Sequence, residues 1–306
     1  VAPCGVRAAE FQIDKPVGLF LTGILKYKVC MEQSRSYALI TGASGGIGKE
    51  FALQLAGADK PLVLVGRNRS RLEAVKAEIV GIRAAAGHSA ASPVASETVV
   101  IPCDLSEPGA AMRLHANCTD KGLVVDMLIN NAGSGLFGQA IDLDPNGIEA
   151  MVNLNISSLT NLCSLFGRDM KKRGFGEILN VGSFAGLNAT PFFASYAATK
   201  SYVLNYSLAL RAELSSAGIQ VCCLMPGYVR TDFDANAGIE SDRYKSFSHA
   251  NSMGATEVAR IGLNALASRK PAVIAGARNR FAAFLFGLLP RSTPPVIMKK
   301  FLDQLA

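Results

Sequence analysis

From Tyr37 onward, short apolar runs alternate with longer stretches in which apolar residues recur every three or four positions. The runs are Tyr37–Ile40, Leu62–Val65, Val99–Ile101, Val125–Ile129, Glu177–Val181, Gln220–Met225 and Ala272–Ala275. Most are rich in Val, Ile and Leu on both faces, so they predict strands buried between two layers. Helical periodicity fills most of the gaps, at Gly48–Ala56, Arg69–Glu78, Ile148–Met170 and Ala197–Leu214. This order predicts an α/β fold with a Rossmann-type doubly wound parallel sheet, about seven strands with helices on both faces, in a single domain.

The domain is expected to span residues 37–276. Residues 1–36 lack clear periodicity and read as an N-terminal extension of unknown role. They do not read as a secretory signal, because acidic residues come early and no clear cleavage site follows. Gly81–Ser96, rich in Ala, Gly and Ser, predicts a surface loop. Residues 228–256 are polar and irregular, which predicts a lid. Residues 277–306 form a basic and apolar tail.

Charge changes this picture only at the ends. The net charge is +7, yet residues 261–306 carry seven basic side chains against Asp303 alone, and residues 1–36 carry five against three acids. The body between is near neutral, which argues against a nucleic-acid-binding face. Seven scattered cysteines without a CxxC pair suit a reducing, cytoplasmic setting. His88, His115 and His249 stand far apart, without metal-ligand spacing, so no metal is expected. No uncharged apolar run approaches the roughly 18–20 residues that a bilayer-spanning helix needs.

After the first strand comes Thr41-Gly42-Ala43-Ser44-Gly45-Gly46-Ile47-Gly48, followed by a helix. Gly42, Gly46 and Gly48 allow a sharp turn and close backbone approach to a pyrophosphate, and the helix start supplies free N–H groups. Ser44 and Ile47 lie within the same cradle. At the end of the second strand an NAD site usually carries an acid that meets the ribose. Here Gly66 takes that place and Arg67 follows, which favours the 2′-phosphate of NADP(H). Arg69 and Arg71 could assist, and the bland alternative for all three is a solvated helix start. Tyr196 and Lys200 sit four apart and so share a helix face, where an ammonium would lower the pKa of a phenol. Ser183 lies 13 residues before Tyr196 at the end of the fifth strand, close enough in chain to bring its hydroxyl beside the phenol.

The glycine spacing, Asn130-Asn131-Ala132-Gly133, Asn155, Ser183, Tyr196, Lys200 and Pro226-Gly227 together resemble the short-chain dehydrogenase/reductase family, over roughly Tyr37 to Gly276. The resemblance implies an oxidoreductase that moves a hydride between nicotinamide and a carbonyl or secondary alcohol. Tyr196 would be the catalytic acid/base and Ser183 would position the substrate oxygen. Lys200 would lower the Tyr196 pKa and bind the ribose, and Asn155 would hold a proton relay. Asn153 is an alternative to Asn155 with less fitting neighbours. Asp104 and Leu105 would meet the adenine, and Asn131, Ala132 and Gly133 would lie along the cofactor. Pro226, Gly227, Val229 and Thr231 would approach its nicotinamide end.

Phe184, Asn188, Phe192 and Phe193, with Leu136, Phe137, Tyr228 and Phe233, are the candidate substrate-facing residues. Such a lining suits a hydrophobic carbonyl or alcohol, lipid-, acyl- or steroid-like. The tail mixes Phe281, Phe284, Leu285, Phe286, Leu288 and Leu289 with Arg280, Arg291, Lys299 and Lys300. It could rest on an anionic membrane surface, cover the pocket or meet a neighbouring subunit. Pro290, Pro294 and Pro295 argue against one long helix there. The resemblance also implies a homodimer through the helices carrying Asn155 and Tyr196. The competing reading is a catalytically silent NADPH-binding sensor or scaffold.

Overall fold

Seven parallel strands build the sheet: β1 (Ser36–Thr41), β2 (Leu62–Gly66), β3 (Thr98–Pro102), β4 (Val124–Asn130), β5 (Gly176–Val181), β6 (Ile219–Met225) and β7 (Ala272–Ile274). The computed structural model describes residues 36–86 and 97–305. The expected N-terminal extension and most of the expected Ala/Gly/Ser loop lie outside the described residues. The start of that loop is helix instead, because α2 (Arg69–Ala85) runs two turns beyond Glu78. Asn68 starts it by accepting the Arg71 N–H, and Arg83 in its last turn is buried, donating to Lys60 O and Thr98 Oγ1. A composition read as loop was therefore the solvent face of a helix whose buried stripe is Leu72, Val75, Ile79 and Arg83.

The strand order is β3-β2-β1-β4-β5-β6-β7. The order reverses between β1 and β4, so the two loops leaving these strands diverge and open a crevice at their carboxyl ends. Ala38, Leu39, Ile40, Leu62, Val63, Leu64 and Val65 are fully buried, as strands covered on both faces require. Two apolar layers flank the sheet. One packs α1 (Gly46–Gly57), α2 and α9 (Ala255–Ala267) against the even-numbered residues of β1 and β2. The other packs α3 (Ala110–Asp120), α5 (Leu159–Arg173) and α6 (Ala194–Leu214) against the odd ones.

The helix expected over Ile148–Met170 is three pieces. Asp144 caps α4 (Pro145–Val152), with Pro145 at the first position, where its missing N–H costs nothing. The chain then widens into π turns at Asn153–Ser158 before α5. Such turns mark functional positions often, and here they carry Asn155.

The expected lid contains two helices, α7 (Phe233–Asn236) and α8 (Asp242–Ala250), and its ends are joined by a bridge between Val229 and Met253. Ser241 caps α8 through the Tyr244 N–H. Only Tyr244 and Ser248 of this helix are buried, so its mostly polar sequence hid its periodicity. The tail is helical too. Gly287 ends α10 (Ala277–Gly287), and α11 (Thr293–Asp303) accommodates Pro294 and Pro295 in its first turn. The prolines do prevent one long helix; they permit two short ones.

Candidate active site

Two polar networks fix the frame of the site. Thr41 Oγ1 accepts the N–H groups of Asn131 (3.0 Å) and Ala132 (2.9 Å), and Asn131 Nδ2 returns a bond to Thr41 O at 2.9 Å. This ties the loop after β4 to the loop after β1. Deeper, Asn130 Nδ2 donates to Asn180 Oδ1, and Asn180 Nδ2 donates to Ser207 Oγ, both at 2.9 Å. All three residues are buried, so this chain couples β4 and β5 to the helix that carries Tyr196 and Lys200.

The glycine turn departs β1 with Gly42 at φ 66° and Gly46 at φ 53°, a backbone region that side chains resist. A Cβ on Gly48 would collide with the Gly42 carbonyl and the Asn131 amide. Gly48 therefore closes the turn from behind and does not line the cavity, whereas Gly42, Ser44, Gly45, Gly46 and Ile47 do. A Cβ on Gly45 would meet nothing within 4 Å. Backbone N–H groups at the start of α1 thus face open space with no acid in the first turn, a cradle that fits a pyrophosphate.

Along the cavity, of about 580 Å³, the wall continues through Gly66, Arg67, Asp104 and Leu105. Arg67 Nη1 stands 4.0 Å from Asp104 Oδ2, and Arg71 Nη1 stands 3.6 Å from Asp232 Oδ2. Both guanidiniums are mostly exposed at the cavity edge, free to swing onto an anion. Arg69 points elsewhere and pairs with Glu73 at 3.9 Å. Asn131, Ala132, Gly133, Pro226, Gly227, Val229 and Thr231 line the middle. The residues present fit a dinucleotide with its phosphates at α1.

Ser183, Tyr196 and Lys200 line the inner end, Asn155 lies beside them outside the lining, and all four are buried. Ser183 accepts the Ala185 N–H at 3.1 Å, and its hydroxyl is near enough to the Tyr196 phenol to draw its pKa down. Lys200 Nζ donates to Val181 O at 2.9 Å and lies 5.9 Å from the centre of the Tyr196 ring. Asn155 exchanges two bonds with the Ser134 backbone, at 3.0 and 2.9 Å, and donates to Thr199 Oγ1 at 3.0 Å. A Cβ on Gly133 would sit 3.1 Å from Lys200 Nζ and 3.2 Å from Asn155 Oδ1, so glycine here lets the amide and the ammonium meet over the same backbone. The alternative Asn153 accepts from Ser157 near the surface and is not in the cavity.

Electrostatics depart from the expectation for Tyr196. Burial pushes its phenol up to about 12, the Ser183 hydrogen bond pulls it back, and the Asp234 carboxylate pushes it up again. Burial draws the Lys200 ammonium down to about 8, against a smaller opposing effect of Cys223. Desolvation is the largest cause for both groups, because both are enclosed by protein. The phenol is held protonated, as a proton donor requires.

The substrate-facing residues divide. Phe184, Asn188, Phe193, Tyr228 and Phe233 line the cavity; Phe192, Leu136 and Phe137 do not. Phe192, at φ 62°, turns its ring onto Phe137 and beneath the Lys299 ammonium. Phe137 supports Phe193 and Tyr244 from behind, with centroids at 5.1 and 5.3 Å. Thr190, Tyr244 and Asp234 complete the wall, and Asn279, Ala282, Met298 and Leu302 roof it from α10 and α11. Sequence reasoning singled out none of these seven as pocket residues. They belong to no motif, and only the fold brings them to the site.

A profile of the family described as short chain dehydrogenase matches residues 36–243. The chain is 31% identical over 276 residues to the very-long-chain 3-oxoacyl-CoA reductase of Anas platyrhynchos, covering 88% of this chain and 81% of the relative. It is 32% identical to dehydrogenase/reductase SDR family member 7B of Danio rerio, covering 82% and 81%. Among solved structures, a short-chain dehydrogenase from Sphingobium yanoikuyae in complex with NADPH superposes with a TM-score of 0.70, at 29% identity, over 82% of this chain and 93% of that one. With the order of its strands, its glycine turn and its buried Asn-Ser-Tyr-Lys cluster, the chain belongs to the short-chain dehydrogenase/reductase family.

Proposed function

We propose that this protein is an NADP(H)-dependent oxidoreductase that interconverts a carbonyl and a secondary alcohol on a hydrophobic, lipid-, acyl- or steroid-like substrate. The observation that carries this reading is the meeting of Ser183, Tyr196 and Lys200 at the end of a cavity with an aromatic wall, next to a built dinucleotide cradle. Bound NADPH supplies a hydride at the nicotinamide. The chain's own residues do the rest. Ser183 donates its hydroxyl hydrogen to the carbonyl oxygen, held in position by the Ala185 N–H. The Tyr196 phenol gives its proton to that oxygen as negative charge develops there. Lys200, fixed on Val181 O, and Asn155, fixed on Ser134, hold the polar path behind the phenol through which its proton is restored.

Arg67 and Arg71 support the choice of NADP(H), since each can fork onto a phosphate where an acidic residue would repel it. The apolar wall of Phe184, Phe193, Phe233 and Tyr244 supports the substrate class. The acyl version of this reading agrees with the relative named as a 3-oxoacyl-CoA reductase. The reading also includes a homodimer through α5 and α6, supported by the exposed Tyr202 and Leu208 on α6.

Following NADPH and NADH consumption against aldehydes, ketones, quinones, 3-oxoacyl thioesters and oxosteroids tests the proposal. The expected outcome is turnover with NADPH in preference to NADH, greatest on the apolar carbonyls. Tyr196→Phe should lose about 10²–10⁴-fold or more in turnover while binding NADPH nearly as the parent does. Turnover retained in that variant would remove Tyr196 from the acid/base role. Tight NADPH binding with no turnover of any compound would favour the silent sensor.

A further inference from the structure

Both helices of the tail are apolar on two sides. On α10, Asn279, Ala282, Ala283 and Phe286 turn inward and are half-buried. On its outer side Phe281, Phe284, Leu285 and Leu288 form a stripe spaced three and four apart, exposed by 65%, 63%, 45% and 67%. On α11, Pro294, Met298 and Leu302 face inward, while Val296, Ile297 and Phe301 face out. Leu289 adds to the outer surface between the helices. Elsewhere among the described residues, the exposed large apolar side chains are Val80, Met112, Ile141, Tyr202 and Leu208, spread over four elements or loops, with only α6 carrying two. Eight such side chains gathered on two consecutive short helices and the turn between them are not the scatter of an ordinary surface, and they mark a binding face.

Charge decides between occupants. Arg278, Arg280, Arg291, Lys299 and Lys300 accompany the apolar stripe, against Asp303, which pairs with Lys299 at 2.8 Å. In a two-fold contact between copies the same patch would meet itself, and the unpaired cations would face one another. An anionic lipid surface complements both components: it takes up the Phe and Leu side chains and attracts the Arg and Lys beside them. We propose that α10 and α11 form a docking face for the surface of an anionic bilayer, with the outer stripe set among the headgroups and the inner side kept on the cavity. No described helix is long and apolar enough to cross a bilayer, so the contact made by this face is peripheral. Docking would place the cavity roof, Ala282, Met298 and Leu302, one helix thickness from the lipid. The docking itself does not depend on the reductase reading.

The test is co-sedimentation of the full chain, without substrate, with vesicles of phosphatidylcholine alone and of phosphatidylcholine with about one third phosphatidylserine. The parent should pellet with the anionic vesicles, weakly or not at all with the neutral ones, and less in high salt. Phe281→Ser/Phe284→Ser/Leu288→Ser should abolish pelleting. Arg280→Gln/Lys300→Gln should weaken it by roughly twentyfold, at about fivefold for each charge removed near an anionic surface. Both variants alter exposed side chains, so NADPH binding and thermal unfolding should match the parent, and light scattering should give the same mass. Failure of the parent to pellet with anionic vesicles would overturn the proposal. So would pelleting that survives both sets of substitutions, which would place lipid contact elsewhere in the chain. A fall in mass on replacing the apolar stripe would identify a second copy as the occupant and overturn it too.

Discussion

Lys200 shows how much of the site's behaviour is set at the scale of one residue. Its ammonium is enclosed between β5 and α6, and burial draws it down to about 8 from the ordinary value near 10.5. Below about pH 8 both the folded and unfolded chains carry the proton, and the folded chain bears the whole cost of burying the charge. Between about 8 and 10.5 the unfolded chain binds more protons than the folded one, so this residue makes stability rise with pH across that window. Lys200→Met removes the cost. The variant should be more stable than the parent at pH 7, by at most about 3 kcal/mol, less whatever is lost at the Val181 carbonyl. The gap should narrow as pH rises through the window. Urea unfolding of both proteins at pH 7 and pH 9.5 measures it; a gap of constant size would mean that Lys200 does not titrate there. Turnover should be lost in the variant, which makes the ammonium a cost carried for function. The residues of this kind were legible in the sequence because chemistry fixes their type and order: Gly42, Gly46, Ser183, Tyr196 and Lys200 all meet in the cavity. What spacing did not convey was the sign of the phenol's shift, since desolvation depends on how completely the fold encloses the ring.

At the scale of elements, the strands were legible to within a residue or two, because a sheet covered on both faces must be written in continuous apolar runs. Four elements were not. The π turns at Asn153–Ser158 have no periodicity of their own, and the contact that identifies them, Asn155 with Ser134, joins residues 21 apart in sequence. The lid helix α8 buries too few positions to leave a period. The tail helices bury one side against the cavity while showing apolar residues on the other, and in α10 this cancels the amphipathic signal. Their inner side sets the size of the substrate space. Met298 lines the cavity, and its unbranched thioether can adjust to different occupants. Met298→Trp should fill part of that space. The expected result is a KM raised about tenfold or more for bulky ketones, with small aldehydes turned over as before and NADPH binding unchanged. Steady-state kinetics on a paired bulky and small substrate would measure this. An equal loss for both substrates would mean that the roof position serves folding and not selection.

At the scale of the whole molecule, the surface divides into faces with different tasks. The carboxyl ends of β1 and β4 open the crevice, the tail roofs one end of it, and α6 exposes Tyr202 and Leu208. Tyr202 stacks on Tyr206 with the rings 10° apart and reaches Thr160 on α5 at 3.1 Å, and Leu208, further along α6, is 40% exposed. Exposed apolar side chains on a helix packed against its neighbour suit an isologous contact, in which each copy presents the same patch. This is the face proposed to pair, distinct from the basic tail. Leu208→Lys places a charge on it twice in a dimer, once from each copy, with no acid of the patch to receive it. The substitution should therefore shift the mass measured by light scattering from two chains toward one, at protein concentrations where the parent stays paired. It should cost little in the fold, because the side chain is already open to water in the single chain. Tyr196 and Lys200 are buried on a different side of the same helix, so separation should lower turnover through a looser α6 and leave the pH dependence of the remaining activity unchanged. A variant that keeps the parent's mass would place the pairing face elsewhere. A parent that is a single chain at every concentration would mean that Tyr202 and Leu208 are an ordinary scatter of exposed apolar residues, and that the site is complete within one chain.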